Sequence, residues 1–173
     1  VAAAFVVHPT TALWCGVWVG VALVAADRRL RPWLLAAGGG GAVVAIWAIG
    51  WGPLSPQLVR MDDVWLGVLE GKDYLFATGW GADGWAVAAL YAAVPAAAFA
   101  MRRSMGLVRP REGAMVLGLS ALVAIFVLTL PSVAARVALA VQFQVSRVFW
   151  MLDLTATIYA VWALADAGRR MPG

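Results

Sequence analysis

Apolar residues run in long, nearly unbroken stretches along this chain, and the breaks between them are short and rich in arginine. Five stretches approach the roughly 20 residues that a membrane-spanning helix needs. They cover about residues 11–26, 32–51, 85–101, 114–130 and 148–165. Asp27-Arg28-Arg29 ends the first, Arg102-Arg103 the third and Pro131 the fourth, and the fifth stops before Asp166. Backbone amides in lipid must find partners within their own segment, so helices are expected. No stretch alternates with a period of two, as a β-barrel strand would. The pattern predicts an all-α fold: one polytopic transmembrane helix bundle of about five spans over residues 1–173. Two more polar segments, 52–84 and 131–147, are expected to form interfacial helices on one face.

The segment after the second span has a helical pattern of its own. Ser55-Pro56 reads as a cap followed by proline in the first turn. On a wheel of residues 57–70, Leu58, Met61, Trp65, Val68 and Leu69 share one face, and Arg60, Asp63, Gly67 and Glu70 the other. That is the pattern of a helix lying in the interface. Asp62 falls within the apolar arc, where a carboxylate is costly unless it has a partner or lines a wet cavity. Asp62 is therefore a candidate site residue, the alternative being that it lies at a frayed edge or that the helix is rotated or absent. Asp63 faces water on this wheel, and Lys72-Asp73 reads as a solvated pair.

The segment after the fourth span runs towards the fifth. An unbroken helix from Ser132 to Ala165 would be about 50 Å long, against a hydrocarbon core of about 30 Å. Its first part must lie in the interface or bend into the bundle. Gln142, Ser146, Asp153 and Thr157 would share one helical face, with Gln144 and Arg147 on a neighbouring one. Asp153 would sit about 8 Å inside the span. An ionised Asp at mid-membrane costs roughly 2.5 to 3.5 kcal/mol, and less near an interface, which implies a partner. Two readings stand: a stabilising polar contact, or a cavity for a polar or anionic group. Arg147 at a helix start would suit a phosphate, since guanidinium and helix dipole both favour an anion.

Composition supports the choice of solvent. Hydrophobic residues make up 64% of the chain, charged residues 13%, and the mean hydropathy is +0.86. A soluble domain holds roughly 45–50% apolar and about 25% charged residues. This balance excludes a disordered chain, a disulfide scaffold and a soluble enzyme. Cys15 is the single cysteine, so neither an internal disulfide nor an iron–sulfur site follows, and the single His8 excludes a haem held by two histidines. No phosphate-binding nucleotide loop is present: the run Gly38–Gly41 follows no strand and precedes no Lys-Ser or Lys-Thr. That run, and the Gly16/Gly20 pair, read as places of close helix packing. His8-Pro9-Thr10-Thr11 stands before the first span, with a threonine to cap it.

Charge sets the orientation. Arg28, Arg29, Arg31, Arg102, Arg103, Arg109, Arg111, Arg169 and Arg170 fall on one side of the five spans; Arg60, Lys72, Arg136 and Arg147 fall on the other. The positive-inside bias puts the C-terminus in the cytoplasm and the N-terminus outside, and it explains the pI near 10.0 without nucleic acid. Trp14, Trp33, Trp51, Trp80, Trp85 and Trp150 fall near span ends, as interfacial anchors should. Arginine greatly outnumbers lysine, and Ala, Gly and Val abound, which suggests a GC-rich bacterial source and an inner-membrane location. An external start at Val1 suggests a fragment with spans missing before it.

Three segments carry a resemblance: His8-Pro9-Thr10-Thr11-Ala12-Leu13-Trp14; Met61-Asp62-Asp63-Val64-Trp65 with Lys72-Asp73-Tyr74-Leu75-Phe76; and Gln142-x-Gln144-x-x-Arg147-x-x-Trp150. Together they resemble uncharacterised bacterial multi-spanning proteins similar to the GT-C class of membrane glycosyltransferases. The resemblance implies sugar transfer from a polyprenyl-phosphate donor at the external membrane face. It implies a base or divalent-metal ligand at Asp62 and a contact to the lipid-linked phosphate at Arg147, while the polar stripe by itself adds Gln142, Gln144 and Asp153 as candidate substrate-binding residues. In that class the acidic residue follows the first span, whereas Asp62 follows the second visible one. Two other readings remain: a transporter or flippase with Asp153 as its intramembrane site, and a non-enzymatic subunit whose polar stripe packs on partner helices.

Overall fold

The computed structural model describes residues 8–69 and 71–170, and for residues 164 and 166–170 the backbone alone. Every regular segment among the described residues is helical. The long helices are α1 (Pro9–Ala26), α2 (Arg31–Gly50), α4 (Ala82–Ser104), α5 (Pro110–Ala134) and α7 (Val148–Arg170), with short α3 (Asp63–Leu69) and α6 (Ala138–Gln142) between them. Four of them, α1, α2, α4 and α5, are long and apolar enough to cross a membrane. The fifth expected span corresponds to α7, 23 residues long. The chain is a multi-pass bundle.

Two helix pairs make the body: α1 packs along α5, and α4 along α7. Trp14, Trp18, Leu119, Leu122, Phe126, Val148, Met151 and Leu152 form the core between them. In lipid no hydrophobic force draws helices together, so close approach and polar bonds must do it. Both are present. A Cβ on Gly118 would lie 2.6 Å from the Trp18 carbonyl oxygen, so only glycine lets α1 come this close to α5. Trp18 Nε1 donates to the Met115 carbonyl at 3.0 Å, and Trp14 Nε1 to that of Phe143 at 3.1 Å. The glycines singled out in the sequence behave differently. Nothing lies within 4 Å of a Cβ placed on Gly16, Gly20 or Gly38–Gly41. α2 has no buried residue at all and faces outward around its length.

The tryptophans divide into two groups. Trp33 and Trp51 are 76% and 81% exposed, as anchors would be. Trp14 is core, and Trp80 joins Trp85, Phe126 and Phe149 in an aromatic cluster with ring centroids 4.8–6.0 Å apart.

The two polar segments meet at one end of the bundle and depart from the expected helices. Residues 55–57 form a single 3₁₀ turn, and α3 begins only at Asp63. Asp62 is therefore not on the apolar arc of a helix. It precedes α3, and its Oδ1 accepts the Trp65 N–H at 2.8 Å, a helix N-cap. The second segment is not one continuous helix either. α5 runs through Pro131 to Ala134 and stops because Arg136 adopts a left-handed φ of 58°. Arg136 N–H bonds the Val133 carbonyl at 2.9 Å and Val137 N–H that of Ser132 at 3.0 Å, the paired bonds of a Schellman motif. A second left-handed residue, Gln144 at φ 48°, ends α6. The face shared by Gln142, Ser146, Asp153 and Thr157 on an unbroken helix is thereby dismantled. Met61 N–H and Ala138 N–H bond the carbonyls of Arg136 and Val59, both at 2.9 Å, pinning the two segments together. Met61, Leu75, Ala138 and Val141 fill the small core beneath this bridge.

Candidate functional site

Between the two segments and the upper halves of α4 and α7 lies an open cavity of about 1620 Å³. Its wall descends α4 along Asp83, Val87 and Tyr91, residues four apart and hence one above another on the helix. Phe149 and Trp80 line it from α7 and the preceding loop. Charged residues line it too, Lys72, Asp73, Arg147 and Asp153 among them. Charged groups thus share the lining with apolar and aromatic ones.

Arg147 is the best-defined group in it. The left-handed turn at Gln144 swings that side chain back over the next 3₁₀ turn, where its Oε1 accepts from Arg147 Nε. The guanidinium carbon lies 4.7 Å from the Trp150 ring centre and 5.5 Å from that of Tyr74, within cation–π range. Its Nη1 is buried and has no hydrogen-bond partner. A buried donor left without an acceptor costs about 1–3 kcal/mol, more when charged. That cost is removed if an anion accepts from it.

The other sequence candidates separate. Asp153 lines the cavity, is exposed to it, and has no hydrogen bond or ion pair among the described residues. Gln144 holds Arg147 and also accepts from Thr10 Oγ1 at 3.4 Å. Gln142 lies away from the cavity and donates to Gln57 Oε1 at 2.9 Å. Ser146 donates to the Tyr74 carbonyl. Thr157 lines a separate apolar groove of about 360 Å³ with Ile158, Val161 and Trp162. Asp62 caps α3 and does not line the cavity, whereas Asp63 does, with Arg136 Nη1 3.9 Å from its Oδ1. Both side chains of that pair are well exposed, so it contributes little. Among the described residues no three His, Cys, Asp or Glu side chains converge on a metal-sized site. A metal-ligand role for Asp62 thus lacks companion donors there.

A second polar cluster, not anticipated from the sequence, sits at the arginine-rich end. Arg102 Nε and Glu112 Oε1 are 2.8 Å apart with both side chains 9% exposed. Tyr159 donates to Glu112 Oε1 at 3.0 Å, and the Arg102 guanidinium lies 3.5 Å from the Trp162 ring centre. This cluster ties the α4–α5 turn to α7 and closes the bundle opposite the cavity. Its one signal in the sequence is Glu112, the single acid in an arginine-rich turn.

Comparison with protein-family models, curated proteins and solved structures finds no match to this chain.

Proposed function

We infer that this multi-pass membrane protein holds the phosphate of a lipid-linked sugar in its large cavity, as part of a GT-C-like glycosyltransferase working at the external membrane face. The observation that carries this reading is the Arg147 guanidinium at the cavity, fixed by Gln144 through Nε and left with a buried, unpartnered Nη1. The cavity's lining supports it: charged side chains together with apolar and aromatic ones suit a molecule with a phosphate head and a hydrocarbon tail. Arg147 accepts the phosphate, and Asp153, about 9 Å further along the chain at helical rise, faces the same space. Asp153 is better placed than Asp62 to be the base, because Asp62 spends its carboxylate on the α3 cap.

In the transfer, the acceptor hydroxyl oxygen bonds to the anomeric carbon and its proton passes to Asp153. The bond from that carbon to the phosphate oxygen breaks, and the phosphate leaves with the electron pair, held by Arg147. The lipid bilayer and a polyprenyl-phosphate lipid are the partners this reading requires.

The test is sugar transfer from a polyprenyl-phosphate-linked sugar in proteoliposomes. Arg147→Ala should raise the KM for donor at least tenfold, from the loss of a charge-assisted contact. Asp153→Asn should abolish turnover while donor binding persists. A transporter reading is favoured by one observation, the exposed, unpaired carboxylate of Asp153 on a bundle helix. Under that reading Asp153→Asn would instead make solute uptake insensitive to pH, and transfer would be absent from the wild type.

A further inference from the structure

The cavity wall holds a residue to which neither reading gives a role. His8 lines the cavity at the start of α1, with its ring centre 6.0 Å from that of Trp150. Trp150 is also the ring that Arg147 stacks on. A hydrogen-bonded path joins the two side chains. Thr11 Oγ1 lies 3.2 Å from His8 Nδ1, Thr10 Oγ1 lies 3.4 Å from the same nitrogen, and Thr10 Oγ1 donates to Gln144 Oε1, which holds Arg147 Nε. Either tautomer of the ring fits these two contacts, and Nε2 has no hydrogen bond to a described residue.

We propose that His8 is a second anion-contacting residue of this cavity, and that its protonation tunes how tightly the phosphate held by Arg147 is bound. The proposal rests on the anion-site reading above and adds a pH response to it. Histidine is the side chain that changes charge between about pH 5 and 8. A cationic His8 beside Arg147 gives the phosphate a second positive neighbour, while a neutral one offers only an N–H. The charged groups that line the cavity with His8 are Asp63 on α3, Lys72 and Asp73 on the loop after it, Asp83 on α4, Arg136 after α5, Arg147 on the 145–147 turn and Asp153 on α7. A bound phosphate shifts the balance towards the cation, so the linkage runs one way: lower pH, tighter binding.

The probe must not titrate over the same range. A phosphate monoester loses charge near pH 6 and would mask the effect. A short-chain phosphodiester, citronellyl glucosyl phosphate, keeps one negative charge throughout. Its dissociation constant is measured on the detergent-purified full chain at pH 5.5 and 7.5. The wild type is expected to bind about tenfold more tightly at pH 5.5, the value of one charge-assisted hydrogen bond. In His8→Gln the two constants should coincide, and His8→Lys should bind tightly at both pH values. That pair guards against a simple failure of the variant to fold. A wild type with no pH dependence, or a pH dependence surviving in His8→Gln, overturns the role of His8 and leaves the anion site standing. If Arg147→Ala binds as the wild type does, the anion-site reading fails and the role of His8 falls with it. Absence of binding to the wild type at both pH values overturns both.

Discussion

Asp62 and Asp153 are both exposed carboxylates at the same end of the molecule, and what separates them is the partner each has. Asp62 accepts a backbone N–H from Trp65 and so starts α3, while Asp153 faces the cavity with nothing to bond. The difference is measurable because asparagine caps a helix as well as aspartate does, whereas alanine does not. Asp62→Ala should lose about 1 kcal/mol of unfolding free energy, read from thermal or denaturant unfolding in detergent. Asp62→Asn should match the wild type in both stability and sugar transfer. An inactive but stable Asp62→Asn would restore the role that the resemblance gives this residue. The contrast was not legible in the sequence. Asp62 looked misplaced only because a helix was drawn through it; once the helix starts at Asp63, the same carboxylate becomes an ordinary cap. Arg147 stood out in the sequence as a candidate for an anion contact, but its fixed posture comes from the left-handed backbone of Gln144, and nothing in the residue type announces that.

At the level of helices, long apolar runs showed where the spans lie, because lipid thickness sets their length and leaves few alternatives. Their junctions were hidden. Helix stops are commonly marked by glycine, which adopts positive φ without strain. Here the two stops in the 131–147 segment use Arg136 and Gln144 instead. Glycine misled in the other direction as well. Gly16 and Gly20 have the spacing of a packing motif yet face open space, while Gly118, which stands in no such pair with them, meets the Trp18 backbone. Spacing tells which residues share a face, not which face meets another helix. Gly118→Ala should therefore force α1 away from α5 and destabilise the bundle by about 2 kcal/mol, the usual range for overpacking. Gly16→Ala and Gly20→Ala should be neutral or gain up to about 1 kcal/mol from helix propensity. Unfolding in detergent, followed by tryptophan fluorescence because Trp14 and Trp18 sit at the contact, ranks the three variants. The reverse ranking would mean that the Gly16 face, not Gly118, carries the helix contact.

Across the whole molecule, two ends of opposite character frame the bundle. One holds the cavity, and the other holds the short turns at 27–30 and 105–109, crowded with arginine and closed by the Arg102–Glu112–Tyr159 cluster. Moving such turns across a bilayer would require dehydrating several guanidinium groups at once, which is the physical root of the positive-inside rule. The arginine-rich end should therefore face the cytoplasm and the cavity the outside, where a lipid-linked donor and its acceptor would meet. Single cysteines test this directly once Cys15 is replaced by serine. Thr78→Cys and Ser132→Cys, both exposed at the cavity end, should react with a membrane-impermeant maleimide in intact cells. Leu30→Cys and Met105→Cys should react only after permeabilisation, being exposed at the opposite end. If Leu30→Cys and Met105→Cys label first, the cavity opens to the cytoplasm, and transfer at the external face must be abandoned even though the bundle stands. If the Thr78 and Ser132 positions label from opposite sides, the two polar segments do not share one end, and the cavity they frame together with α4 and α7 is lost along with its anion site.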